Sequence, residues 1–139
     1  PSGKGMSPLS WQILENKKKI VFSLFEAGIK IDSGKVYFKK KVYIPKDKLF
    51  FEIKNIQFNI NIGLIQKFLR HLNIYKKPPK LIISKKKVSY YKKRTSKDSE
   101  IDISKNIKNQ FNLLRIVDND NYPAFFKIYG KKFYLKIFK

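Results

Sequence analysis

Apolar positions fall in short runs separated by lysine-rich and turn-forming stretches. Ser7 to Leu14 opens with Ser7 as an N-cap and Pro8 at the first helical position, which predicts a short helix. Glu15-Asn16 ends it. In Lys17 to Ala27, the apolar residues Ile20, Val21, Leu24 and Phe25 sit at helical spacing, which predicts a second helix stopped by Gly28. Ile29-Lys30-Ile31 and Val36-Tyr37-Phe38 flank the turn cluster 32–35 and predict a β-hairpin. Val42 to Ile44 and Leu49 to Ile53 read as strands around a Pro45–Lys48 turn. Asn55 to Ile65 alternates imperfectly and reads as a strand leading into a helix over Leu64 to Leu72. Pro78-Pro79 is a break. Leu81 to Tyr91 mixes an apolar strand with a lysine run, and Lys92 to Lys105 is a polar, charged stretch that predicts a flexible loop. After the short apolar element Phe111 to Val117 and the turn cluster 118–121, residues 123–129 and 132–138 alternate around Gly130-Lys131, predicting a second hairpin.

The pattern therefore predicts an α+β fold. Two short N-terminal helices pack on a small, mostly antiparallel sheet. Residues 7–54 form the first domain. A basic extension follows over 55–110, with one helix near 64–72 and a flexible loop near 92–105. A C-terminal strand hairpin over 111–139 packs back on the domain.

Charge changes the picture. The 139 residues hold 32 Lys+Arg against 10 Asp+Glu, a net charge of +22, yet 42% are hydrophobic and 15% aromatic. Disordered basic tails lack that apolar content. A foldable chain whose charge opposes folding by self-repulsion calls for a polyanionic partner, and nucleic acid is the commonest. Arg occurs only as Arg70, Arg94 and Arg115. The preference for Lys over Arg, with abundant Ile, Asn, Phe and Tyr, suits an AT-rich genome such as that of an organelle or a parasite.

Catalytic motifs are weak. Without Cys there is no disulfide framework or thiolate metal site. No run reaches the about 18 apolar residues of a membrane span. The N-terminus shows no apolar signal-peptide core. His71 stands beside Arg70 in an amphipathic segment and reads as a surface residue. The carboxylates are scattered. Asp98, Glu100 and Asp102 lack the turn glycine and closing Glu of a calcium loop. Ser2-Gly3-Lys4-Gly5 lacks the preceding strand and following Ser/Thr of a phosphate loop. No enzyme activity, cofactor or metal is expected. The stronger features are basic runs beside aromatics, where lysines hold phosphates and rings stack on bases. The candidate RNA-binding residues are Lys17, Lys18, Lys19, Lys35, Lys39, Lys40, Lys41, Lys85, Lys86, Lys87, Tyr90, Tyr91, Lys92, Lys93 and Arg94.

Read together, residues 7 to 53 resemble the S-four RNA-binding domain, named for ribosomal small-subunit protein number four. The matching segments are Leu24-Phe25-Glu26-Ala27-Gly28, then Ile29 to Lys35, then Val42-Tyr43-Ile44-Pro45-Lys46-Asp47-Lys48-Leu49. Two downstream stretches, Ile62 to Leu72 and Tyr122 to Ile128, resemble segments of mitochondrial-type versions. Phe22 and Glu26 depart from the family's polar contact positions. The resemblance implies a structural component of a mitochondrial small ribosomal subunit, located in the mitochondrion. Its partners would be ribosomal RNA, neighbouring ribosomal proteins and a separate chain supplying the family's N-terminal region, with no membrane. The alternatives are a stand-alone RNA-binding module or a non-catalytic part of an RNA-modifying enzyme, and, behind these, a peripheral membrane protein.

Overall fold

A computed structural model describes residues 3–29, 32, 34–83 and 89–139. The element order is β1 (Lys4–Gly5), α1 (Pro8–Leu14), β2 (Ile20–Phe25), β3 (Val36–Val42), α2 (Phe50–Tyr75), β4 (Tyr90–Tyr91), a 3₁₀ turn (Ser96–Ser99), α3 (Ile107–Leu114), β5 (Ala124–Ile128) and β6 (Lys131–Leu135). The strands form three two-stranded sheets: β1 with β4 in parallel, β2 with β3 antiparallel, and β5 with β6 antiparallel. The α+β class stands. The arrangement of two N-terminal helices on one sheet does not.

The second predicted helix, Lys17 to Ala27, is the strand β2 instead. Ile20 and Phe22 are buried while Val21 between them is exposed, a period of two. The helical reading relied on Ile20, Val21, Leu24 and Phe25, a run short enough to fit either period. Pairing decides it: Ile20 lies opposite Val42 and Leu24 opposite Phe38. The first predicted hairpin is corrected with it. β3 returns along β2, so Lys39, Lys40 and Lys41 lie within a strand. Lys30, Ile31 and Ser33 fall outside the described residues.

The predicted strands over Leu49 to Ile53 and Asn55 to Ile65, and the helix over Leu64 to Leu72, merge into the 26-residue helix α2. Its buried residues are Ile53, Ile60 and Leu64, at i, i+7 and i+11, which is one helical stripe. The apparent alternation at Ile56, Phe58, Ile60 and Ile62 does not survive, because Phe58 points outward and is 62% exposed. The first turn of α2 is fixed by Glu52, whose carboxylate accepts from the Leu49 N–H at 3.0 Å. Ser7 does not cap α1 with its side chain. It sits in the left-handed region at φ 53°, and Pro8 alone sets the helix start.

Other expectations fit. The Pro45–Lys48 turn closes with the Lys48 N–H on the Pro45 carbonyl. The C-terminal hairpin forms with its turn one residue earlier than the expected Gly130-Lys131: Ile128 lies opposite Lys131, so the two-residue turn is Tyr129-Gly130 with φ of 52° and 69°. Positive φ at both positions matches strand twist. Within residues 92–105, where the sequence predicts a flexible loop, Ser99 and Ile101 are buried and the Ile101 N–H donates to the Phe125 carbonyl at 2.7 Å.

Two cores result. The larger joins Leu9, Ile13, Ile20, Phe22, Ile44, Ile53, Ile60, Leu64 and Ile116, and so gathers α1, β2 and α2. The smaller joins Ile101, Leu114, Val117 and Ala124 beneath the C-terminal hairpin.

Candidate functional site

One open cleft of 270 Å³ lies where the β1 turn, α1, β2 and α2 meet, against the larger core. Its carboxylate is Asp32. The chain reaches Asp32 from the end of β2 and holds it at φ 56°, the left-handed region that Asp tolerates better than most residues. Its Oδ2 accepts the Gly5 N–H at 2.9 Å. Its backbone carbonyl accepts the Lys4 ammonium. These two contacts join segments 27 and 28 residues apart in sequence.

Both glycine turns are sterically required. Gly5 has φ of 98°, and a Cβ there would stand 2.3 Å from the Tyr91 carbonyl oxygen. A Cβ on Gly34 would stand 1.5 Å from the Glu26 carbonyl oxygen. The backbone thus passes closer than any side chain permits. The β1 turn is tied down from its other side by Gly3 N–H bonds to the Ser89 carbonyl and Oγ, at 3.1 and 2.9 Å. Across the cleft, Gln57 and Asn61 stand one turn apart on α2, and Leu9 and Phe22 supply apolar wall. The result is a carboxylate with one oxygen anchored and no hydrogen bond to Oδ1 among the described residues, in a cleft also lined by Lys4, the amides of Gln57 and Asn61, and apolar wall.

The sequence-predicted site residues do not assemble here. Lys35, Lys39, Lys40 and Lys41 are exposed along and before β3. Lys85, Lys86 and Lys87 lie outside the described residues. Tyr91 is half-buried and stacks on Trp11 at 6.5 Å with an interplanar angle of 11°. Its hydroxyl donates to Glu15 Oε2 at 2.6 Å and accepts from Lys17 Nζ at 2.7 Å. The ion pair with Lys17 holds the Glu15 carboxyl below its ordinary range and raises the Lys17 ammonium, while burial pushes the Tyr91 phenol up. Lys92 lies over Trp11, which donates to its carbonyl at 2.8 Å. Arg94 turns inward and donates to the Asp98 carbonyl at 2.8 Å. Lys18, Lys19, Lys93 and Tyr90 are exposed. Sequence reasoning missed Asp32, Gly5, Gly34, Gln57 and Asn61. The available signal was the pair of glycine turns, each beside a charged residue, which were read separately as a failed phosphate loop and a hairpin turn.

Among the described residues no group of three His, Asp or Glu forms a metal site, and no helix is long and apolar enough to cross a membrane.

No family model matches the chain. Over 119 residues it is 29% identical to methionyl-tRNA formyltransferase of Thermosipho melanesiensis, an alignment covering 85% of this chain and 37% of that protein. Its fold is similar to that of methionyl-tRNA formyltransferase from Clostridium thermocellum, with a TM-score of 0.69, 23% identity and coverage of 99% of this chain and 58% of that one. A 4-N formyltransferase from Francisella tularensis gives 0.77, 20%, 99% and 57%. HypX from Aquifex aeolicus in complex with tetrahydrofolic acid gives 0.71, 19%, 99% and 24%. The chain therefore spans less than two thirds of these relatives' length.

These likenesses overturn the S-four resemblance, which rested on residues 7–53, including a second helix that is a strand, and on the two downstream stretches Ile62 to Leu72 and Tyr122 to Ile128. The likeness in fold to these solved structures extends over 99% of the chain. With the resemblance go the mitochondrial small-subunit role, ribosomal RNA and neighbouring ribosomal proteins as partners, and the separate chain inferred to complete a ribosomal protein. The expectation of a non-enzyme falls too, as do the alternatives of a stand-alone RNA-binding module and of a non-catalytic part of an RNA-modifying enzyme, since the proteins this chain resembles are formyltransferases.

Proposed function

We propose that this chain contributes to folate-dependent formyl transfer onto an amine, with Asp32 as the carboxylate of the reacting cleft. The observation that carries the reading is Asp32 itself. It is the carboxylate of the cleft, fixed by a backbone N–H on one oxygen and open on the other. The likeness to a methionyl-tRNA formyltransferase over 85% of the chain supports the reaction class.

A formyl-folate donor supplies an activated one-carbon group at the formyl level. The residues present fit the reacting end of such a donor. Gln57 and Asn61 offer neutral donors and acceptors to a heterocycle edge and a formyl oxygen, and Leu9 and Phe22 offer apolar contact. At 270 Å³ the cleft takes that end and leaves the remainder of a folate outside it. As an amine nitrogen bonds to the formyl carbon and that carbon's bond to the folate nitrogen breaks, Asp32 Oδ1 would take the amine's proton as general base, and the released folate nitrogen would leave protonated. The Gly5 N–H keeps the carboxylate oriented, so it need not reorganise as charge moves.

Amide NMR shifts on adding 5-formyltetrahydrofolate test this placement. Perturbations centred on Gly5, Gly34, Gln57 and Asn61 are expected. Perturbations centred on the C-terminal hairpin, with the cleft silent, would refute it.

A further inference from the structure

Away from the cleft, a groove of 440 Å³ runs between the segment entering β2, the 43–46 turn and the end of α3. Its cations are Lys17, Lys18, Lys19, Lys46 and Arg115, and among the described residues no carboxylate lines it. Lys17 is compensated by Glu15 at 2.7 Å. The other four have no carboxylate within ion-pair distance among the described residues. Elsewhere the scarce acids are spent on lysines: Lys48, Lys92, Lys105, Lys127, Lys136 and Lys139 each sit within 3.4 Å of one.

Arg115 is the second observation. It is only 3% exposed, yet it lines the groove. One guanidinium nitrogen donates to the Pro45 carbonyl at 2.5 Å, which fixes its position against the turn that carries Lys46. Its buried Nε–H has no acceptor among the described residues. Retaining a guanidinium at such a position without a counter-charge is costly, and burial depresses its basicity. Asp47 lies nearby but is held by Lys48 and Lys139.

We infer that this groove binds a compact oligophosphate, free or as the phosphate tail of a nucleotide-sized ligand. Four uncompensated cations call for a ligand with several negative charges in a short span, which a monocarboxylate does not provide. Lysines serve phosphates as point charges. The volume lies within the range of small-molecule sites, and exposed Tyr43 on the rim offers a ring face to an attached base. The inference goes beyond the formyl-transfer reading and stands on the groove's own charges.

Calorimetric titration with inorganic tripolyphosphate tests it on the 139-residue chain. One saturable site is expected, weakened about tenfold by the Lys18→Gln, Lys19→Gln double substitution, in line with the loss of charge-assisted hydrogen bonds. Arg115→Met should weaken it further, with circular dichroism reporting whether that variant folds. The exposed-lysine variants keep the test decisive if it does not. Lys131→Gln on the distant hairpin should leave binding unchanged. Equal losses at Lys131, absence of a saturable site, or binding of a short RNA oligonucleotide through these lysines without tripolyphosphate binding would each overturn the proposal.

Discussion

The two cores differ in how far apart in sequence their residues lie. The smaller is built from Ile101 to Ala124, close neighbours in the chain, and carries a hairpin whose turn chemistry is local. The larger gathers residues from Leu9 to Ile116 and carries both the cleft and the oligophosphate groove. The proposed chemistry thus sits on the part assembled by long-range packing, where two glycine turns meet a carboxylate that no local pattern marks. Substitutions should therefore separate the two regions sharply.

The largest expected effect is at the glycines. Gly34→Ala places a methyl inside the van der Waals radius of the Glu26 carbonyl oxygen. It should displace Asp32 and abolish folate-analogue binding, while the shifts of β5 and β6 in an amide spectrum stay in place. Wild-type binding by this variant would show that the turn does not position the cleft.

Next comes the larger core. Ile60→Ala removes a buried residue on the inward stripe of α2 and should cost about 2–5 kcal/mol in denaturant unfolding. Phe58→Ala, on the exposed face of the same helix, should stay within about 0.5 kcal/mol. Similar losses at both positions would contradict the helical register.

The smallest effect is electrostatic. The Leu49 N–H bond, reinforced by Lys48 and Lys139, holds the Glu52 carboxyl at about 2, below its ordinary 4.5. A depressed folded-state value gives stability that is present above the ordinary range and lost as pH falls from about 4.5 towards 2. Glu52→Gln should lower thermal stability slightly at neutral pH, converge with the wild type as pH falls towards 2, and so flatten the acid limb in that window. An unaltered acid limb would show that the helix start does not depend on the charge.

The same contrast explains what was legible. The C-terminal hairpin could be read to within one residue of its turn because its alternation and its turn are contiguous. Pro8 at a helix start and the Pro45–Lys48 turn were legible for the same reason. β2 was not, because Ile20 to Phe25 satisfies both periods and only Val36 to Val42, beyond an intervening loop, makes it a strand. α2 was split because the outward residues Phe58 and Ile62 are as apolar as the inward Ile53 and Ile60. Asp32 was one carboxylate among ten until Gly5 closed on it across 27 residues. The lysines drew attention by number, and their positions show different uses: Lys17 serves an ion pair, and Lys18 and Lys19 enter a groove.

The most direct test is the rate of formyl transfer from 10-formyltetrahydrofolate to an amine acceptor, followed through tetrahydrofolate release, for the wild-type protein and Asp32→Asn. The isosteric amide keeps the Gly5 contact but cannot take a proton. Transfer by the wild type, with a loss of about a hundredfold or more in the variant and unchanged folate-analogue binding, is the predicted result. Equal rates in the two proteins, or a wild type that binds the donor and transfers nothing, would contradict the assignment of Asp32 as the base of this cleft.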